Sequence, residues 1–328
     1  MKFLVTGSAG HLGEALIRTL RDLDHEVVGL DILESPFTTY VGSITERSVA
    51  AMHCMNGVQV VFHAATLHKP HVATHSRQEF VDTNITGTLN LLEAAVSAGV
   101  QSFVYTSTTS VFGDALVPPP GAPAAWITED VTPVPKNIYG ATKTAAEDLC
   151  QLFHRNQGLA CIVLRTSRFF PEEDDNNEVR EAFSDENVKA NEYLYRRVDI
   201  EDVVSAHLLA AERAPDLGFR KYIVSATTPF HRNDLERLRV DAPAVVRERV
   251  PDYEAVYRRL HWKMFPGIGR VYVNERARNE LGWLPRYDFG YLIRCLEAGI
   301  DFRSPFAQSV GSKGYHDEVF SKGPYPVE

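Results

Sequence analysis

Thr6-Gly7-Ser8-Ala9-Gly10-His11-Leu12-Gly13 lies between a run of β-formers, Lys2–Thr6, and a helical pattern that begins at His11. Few conformations other than a strand turning tightly into a helix accept glycines at this spacing. Gly7 permits the turn, Gly10 lets backbone N–H groups approach a pyrophosphate, and Gly13 lets the helix lie close on the strand. Ala9, His11 and Leu12 belong to the same loop, where the helix start meets a phosphate with its positive dipole end. Asp31 follows eighteen residues after Gly13, at the end of a second strand. A carboxylate there accepts hydrogen bonds from ribose hydroxyls and repels a 2′-phosphate. No arginine occurs in Ile32–Tyr40 to hold that phosphate, so the expected cofactor is NAD.

The pattern continues as strand–helix alternation. Glu26–Leu30, Val58–His63, Ser102–Thr106 and Ala160–Arg165 read as further buried strands. His11–Leu23, Thr45–Asn56, His75–Ala98 and Tyr139–Gln157 read as helices. This predicts an α/β fold of Rossmann type, a doubly wound parallel sheet. Beyond Arg165 the rhythm changes. Pro171–Asn177 is polar, acidic and irregular, which reads as a solvated loop. Val198–Ala211 reads as a brief strand entering a helix, Lys221–Ser225 as a strand and Asn274–Leu281 as a helix. The expected division is an NAD-binding domain over 1–165 and a smaller, interleaved C-terminal substrate lobe over 166–328. Segments at about 198–228 are expected to return to the sheet.

Composition narrows the partners. A formal net charge of -9 leaves no basic surplus to displace counterions from a nucleic acid. The four cysteines show no zinc-type spacing and read as reduced thiols of a cytoplasmic protein. No stretch approaches the roughly 20 apolar residues of a membrane span, and no leader is read before the glycine loop.

Tyr139 and Lys143 stand at i and i+4 of one helix, a turn apart on one face. An ammonium there favours the phenolate, and the expectation is a tyrosine pKa lowered towards working pH. The fourth long strand runs through Thr106 into a hydroxyl-rich turn, Ser107-Thr108-Thr109-Ser110, at a strand's carboxyl end where open α/β sheets bind ligands. A hydroxyl beside a tyrosine can hold a substrate oxygen while the tyrosine moves its proton.

TGSAGHLG, Asp31, FHAAT at Phe62–Thr66, NITGTLNLLEAA at Asn84–Ala95, STTSVFG at Ser107–Gly113 and YGATK at Tyr139–Lys143 occur in order. Together they resemble the extended short-chain dehydrogenase/reductase family, the group containing nucleotide-sugar epimerases and dehydratases. VDIEDVVSAHLLA at Val198–Ala210 and ARNELGWLP at Ala277–Pro285 are similar to its later signatures. The resemblance implies Tyr139 as acid/base, Lys143 as its electrostatic partner, Thr108 as the catalytic hydroxyl and Asn84 as the helix asparagine. It also implies cofactor contacts at Ala64, Ala65, Thr66 and Thr106, with Ser43 and Ile44 near adenine. Many relatives carry aspartate at the Ser43 position.

Within that family, dehydratases carry Asp-Glu after the threonine, where this chain has Thr109-Ser110, and sugar-acid decarboxylases carry glutamate at the Ser110 position. A nucleotide-sugar epimerase acting through a transient ketone is therefore the leading expectation. A dehydrogenase or reductase of a small hydroxy or carbonyl compound is the alternative, and a non-catalytic NAD-sensing regulator a third. The family's asparagine after the fifth strand, which contacts diphosphate, is replaced here by Ser167-Arg168-Phe169. Arg168 is the expected grip on a diphosphate or carboxylate. Ser107, Thr109, His68 and Lys69 are further candidates for substrate contact, with Trp126, Tyr193, Tyr195, Arg196, Arg197 and Trp262 as possible pocket residues. His63, His68, His71 and His75 have spacing compatible with a metal, but Lys69-Pro70 interrupts a helix there, and hydride chemistry needs no metal. The helices at His75–Ala98 and Tyr139–Gln157 resemble those through which relatives form dimers.

Overall fold

The computed structural model describes residues 1–48, 54–314 and 320. Seven parallel strands form the main sheet: β1 (Lys2–Thr6), β2 (Glu26–Asp31), β3 (Tyr40–Val41), β4 (Val60–His63), β5 (Ser102–Thr108), β7 (Cys161–Thr166) and β8 (Phe219–Val224). Their order is β3-β2-β1-β4-β5-β7-β8, so chain direction across the sheet reverses between β1 and β4. Crevices at such a reversal, beyond the strands' carboxyl ends, take ligands. Two further short strands, β6 (Ala125–Ile127) and β9 (Arg270–Tyr272), pair with each other in a separate parallel ribbon.

Both faces of the sheet are covered, which is why its strands are apolar almost throughout. Helices α1 (His11–Asp22) and α4 (Ile200–Leu217) cover one face, where Leu16, Phe62, Leu164 and Trp283 are buried. Helices α2 (Gly87–Ala98) and α3 (Ile138–Gln157) cover the other, over Leu4, Val61, Phe103 and Val163. Asn137 caps α3 by accepting the Gly140 N–H at 3.1 Å, and Gly158, in the left-handed region, ends it.

The strands and helices read from the sequence start within two residues of where it places them, with three differences; the helix read to Ala211 runs on to Leu217, and β3, β6 and β9 were not anticipated. The helix expected over His75–Ala98 starts only after Ser76, which accepts the Glu79 N–H, and is interrupted by a π-helical turn at Asp82–Thr86. Such a turn inserts a residue into the helix and re-aims its side chains, here that of Asn84. The helix expected over Thr45–Asn56 falls largely on residues 49–53, outside the described residues. Third, Val198 belongs to no named strand; a lone bridge joins Arg168 to Arg197 just before α4. The later part of the chain supplies short helices packed around Tyr253, Tyr257 and Phe289.

Candidate active site

Gly7, Gly10 and Gly13 form the turn between β1 and α1. Gly7 has φ +73, and a Cβ on it would meet the Ala65 backbone N at 2.8 Å. A Cβ on Gly13 would collide with the Gly7 carbonyl oxygen. The turn is pinned by Gly7 N–H to Leu30 O at 2.8 Å, and Ala9 N–H donates to Asp31 Oδ2 at 2.9 Å. Asp31 also accepts the Leu33 N–H at 3.0 Å, so its carboxylate is fixed beside the loop. A cradle without side chains, next to a fixed carboxylate, fits a dinucleotide with free ribose hydroxyls.

A hydrogen-bond chain links this loop to the helices behind it. Ala65 N–H donates to Thr6 Oγ1, which donates to His63 Nδ1; His63 Nε2 donates to Thr88 Oγ1, which donates to the Asn84 carbonyl. His63 is fully buried, and burial with the nearby Lys143 charge drives its pKa well down, keeping the ring neutral as this relay requires.

A cavity of about 450 Å³ opens over the strand ends, within the size range of small-molecule sites. Its lining includes Gly7, Gly10, His11, Leu12 and Gly13 on one side and Thr106, Ser107, Thr108, Thr109 and Tyr139 on another. Ala64, Thr66, His68, Lys69 and Arg168 also line it. Tyr139 and Thr108 are buried and both line the cavity, the Thr108 hydroxyl near enough to favour the phenolate. Burial pushes the Tyr139 phenol up to about 12, with the Thr108 hydroxyl opposing the rise. The expected lowering is therefore not found, because desolvation of the phenolate dominates. Lys143 instead donates to the Thr106 carbonyl oxygen at 2.7 Å and stands 4.1 Å from the Tyr105 ring centroid. Burial lowers Lys143 to about 7, against the attraction of Glu147.

Several of the expected contact residues also make bonds within the protein. Ser107 donates to Glu147 Oε1 at 2.6 Å, so its hydroxyl serves the scaffold rather than a substrate. Glu147 also receives Arg165 Nη2 at 2.7 Å and Lys221 Nζ at 3.1 Å, a buried charge group beneath the site. Glu147 was legible only as the next i+4 position after Lys143. Asn84 lies behind the cavity wall. It accepts from Leu67 N–H and Thr66 Oγ1 and donates to Leu67 O and to Thr142 Oγ1, beside Lys143. It is a positioning residue. Ser43 Oγ accepts the Thr45 N–H, and Ile44 is buried against Gly87. Thr106 shares its hydroxyl with His207 Nε2 at 2.9 Å, and His11 Nδ1 donates to the Gly311 carbonyl. His68 lies tilted against Tyr139 and edge-on to Phe170; burial, then the His71 and Lys143 charges, lower it to about 3.

Arg168 is not an open grip. Its Nη1 donates to Asp174 at 2.6 Å and to Glu192 at 2.9 Å. The acidic run read as solvated instead turns inward: Asp174 is buried, and Asp175 pairs with Lys69 at 2.5 Å. Glu192 is buried too; burial opposes its ionisation, but Arg196, Arg168 and Arg197 hold its pKa far down. Of the six isolated pocket candidates, Arg196 lines the cavity. Arg197 is buried against Glu192, Trp126 lies under Arg232 in β6, Tyr195 lies beside Arg270, and Tyr193 and Trp262 pack in the lobe core. Lys136, Arg270 and Tyr272 line the cavity without having been expected, since β9 reaches it only through a pairing with β6 across more than a hundred residues. Among the described residues, no three His, Cys, Asp or Glu side chains converge as a metal set.

The family model of the NAD-dependent epimerase/dehydratase family matches residues 3–224. An uncharacterized UDP-glucose epimerase, YtcB of Bacillus subtilis, is 29% identical over half of this chain and 55% of its own length. A 3-beta-hydroxysteroid dehydrogenase of Mycolicibacterium neoaurum is 26% identical over 87% of each chain. The fold is shared with a short-chain dehydrogenase/reductase superfamily protein of Agrobacterium tumefaciens, solved with bound NAD. That likeness has a TM-score of 0.64 and 22% identity, over 91% of this chain and 96% of that one.

Proposed function

This chain belongs to the NAD-dependent epimerase/dehydratase family, and we propose that it is a nucleotide-sugar epimerase working through a transient ketone. The observation that carries the proposal is the buried Tyr139–Thr108 pair, which lines the same cavity as the glycine turn. NAD, when bound, supplies the hydride acceptor and donor. Thr108 would hold the reacting oxygen, and Tyr139 would take its proton and return it to that same oxygen after the ketone has turned over and been reduced on its other face. Lys143 supplies positive charge behind the phenol. Gly7, Ala9, Gly10, His11, Leu12, Gly13 and Asp31 would hold the dinucleotide, with Ser43, Ile44, Ala64, Ala65 and Thr66 along its course. Residues 1–165 carry the cofactor and the catalytic groups, and 166–328 mainly the substrate lobe.

The test is incubation of the purified protein with UDP-glucose and with UDP-galactose, followed by NMR. Interconversion without net NADH supports the proposal; its absence across nucleotide sugars sinks it. One observation favours a second reading. Arg168, at the place of the diphosphate-contacting asparagine, is occupied by Asp174 and Glu192. A dehydrogenase acting on a smaller hydroxy compound would need no diphosphate contact, and a relative named as a steroid dehydrogenase aligns over most of the chain. Release of NADH on oxidation of such a compound would establish that reading.

We further propose a homodimer formed through α2 and α3, where Leu152 is exposed and Leu149 and Val96 are only partly buried. Light scattering that returns a monomer mass at micromolar concentration contradicts it. The proposed compartment is the cytoplasm, which suits four buried free cysteines. No helix among the described residues is long and apolar enough to cross a membrane.

A further inference from the structure

The acidic run that follows β7 is tied to distant parts of the chain. Asp174 is held by Arg168 and Arg196, which fold the run onto the later part of the chain. Glu172 and Asp175 line the cavity and reach further. Asp175 pairs at 2.5 Å with Lys69, in the loop after β4. Ser312 donates its hydroxyl to Glu172 Oε1 at 2.6 Å, across 140 positions of sequence.

Ser312 belongs to a C-terminal segment anchored on the cofactor side. Ser304 is buried; its N–H donates to Asp199 Oδ2 at 3.1 Å, and its hydroxyl caps a short helix at Pro305–Val310. Val310 is buried in the core that α1 covers, and the Arg18 guanidinium of α1 lies 5.0 Å from the Phe306 ring centroid. Gly311 follows at φ +65, a left-handed turn that suits glycine. Its carbonyl accepts from His11 Nδ1 at 2.8 Å, and Lys313 pairs with Glu14. His11 and Glu14 are buried in the first turn of α1, the helix start that faces the glycine turn, and His11 lines the cavity. Three consecutive residues thus hold the glycine-turn wall of the cavity and the acidic run opposite.

The bonds of this cross-link are of a reversible kind. Lys313 and Lys69 have 33% and 36% of their side chains exposed, and Ser312 is exposed too. Ion pairs so placed are individually weak and screened by salt, so they break and re-form without unfolding the core. The helix at Pro305–Val310 stays fixed by burial when they do.

We propose that residues 311–313 and the acidic run form an ionic latch between two walls of the cavity, which opens for the dinucleotide to enter or leave. This rests on the reading of the glycine turn as the dinucleotide site and not on which substrate is turned over. It gives the acidic run a role outside the chemistry. In an enzyme that returns its hydride, the latch keeps the reduced cofactor in place between the two transfers.

The experiment is stopped-flow fluorescence of NADH. Release is read by mixing NADH-loaded protein with excess NAD, and uptake by mixing NADH with cofactor-free protein. The double variant Ser312→Ala/Lys313→Met should release NADH about threefold to thirtyfold faster than wild type, with a melting temperature within a few degrees. Uptake should also be faster, so affinity changes less than either rate. Added salt should speed release from wild type more than from the double variant. Glu172→Ala breaks the same contact from the other wall, and its effect should not add to that of Ser312→Ala. Equal release rates in wild type and the double variant overturn the latch. Faster release with slower uptake also overturns it, since Lys313 would then be an attractive charge for the cofactor rather than part of a barrier. Failure of wild type to bind NADH would overturn the cofactor site and the latch together, whereas loss of the epimerase reading alone moves none of these rates.

Discussion

Lys143 donates its ammonium to the Thr106 carbonyl oxygen at 2.7 Å, so the cation of the Tyr139/Lys143 pair is anchored on β5, the strand that carries Thr108. Burial lowers this lysine to about 7. In the unfolded chain it keeps its proton to about pH 10.4, so between the two values the unfolded state binds the extra proton and stability rises with pH. Lys143→Met should flatten that rise between pH 7 and 10 by about 3–5 kcal/mol, read from denaturant unfolding at several pH values. The same variant should lose most turnover. An unchanged pH profile of stability would show that Lys143 titrates normally.

Tyr139→Phe removes the proposed proton carrier while keeping the buried ring. Turnover should fall by about a hundredfold to ten-thousandfold with the melting temperature preserved. Thr108→Val should fall less, because it removes the oxygen-holding hydroxyl and leaves the proton carrier in place. Undiminished turnover in Tyr139→Phe would remove the tyrosine from the chemistry.

Asn84 holds the loop after β4 and the helix bearing Lys143 through four hydrogen bonds from one amide. Asn84→Ala leaves several buried partners unmatched, and unfolding should show a loss of about 2–4 kcal/mol. Asn84→Asp keeps the acceptor but loses the donations to Thr142 and to the Leu67 carbonyl and buries a carboxylate, so it should not recover wild-type stability. Wild-type stability in Asn84→Ala would mean that water replaces the amide at no cost.

Asp31 is fixed by Ala9 and Leu33 beside the glycine turn, and its proposed role is to select against a 2′-phosphate. Asp31→Ala should weaken NAD binding about tenfold and erase most of the discrimination against NADP, measured by titration of both cofactors into cofactor-free protein. Retained discrimination would place the selecting group elsewhere.

Most of the sheet was legible because its central strands, buried on both faces, are nearly continuous apolar runs and the crossover helices end at turn residues such as Gly99 or Gly158; the two exposed residues of β3 form no such run. The glycine turn, Asp31, Thr108, Tyr139 and Lys143 were legible because their spacing is local. What was not legible depends on distant charges. Asp174 and Asp175 read as solvated because the sequence does not reveal that Arg196 and Lys69 fold against them. Arg270 gave no signal, since its place follows from β6–β9 pairing. The π turn at Asn84 was hidden because an inserted residue leaves the surrounding apolar pattern nearly helical.

The account turns on whether the substrate's alcohol is oxidised and then reduced again within one binding event. The most direct measurement follows a nucleotide sugar carrying deuterium on the reacting carbon, mixed with unlabelled sugar, through NMR and mass spectrometry. The account predicts an inverted product that keeps its deuterium on the same carbon, with no crossover between molecules and no NADH accumulating. Deuterium appearing in released NADH, with a ketone as the final product, would contradict it and identify a net dehydrogenase.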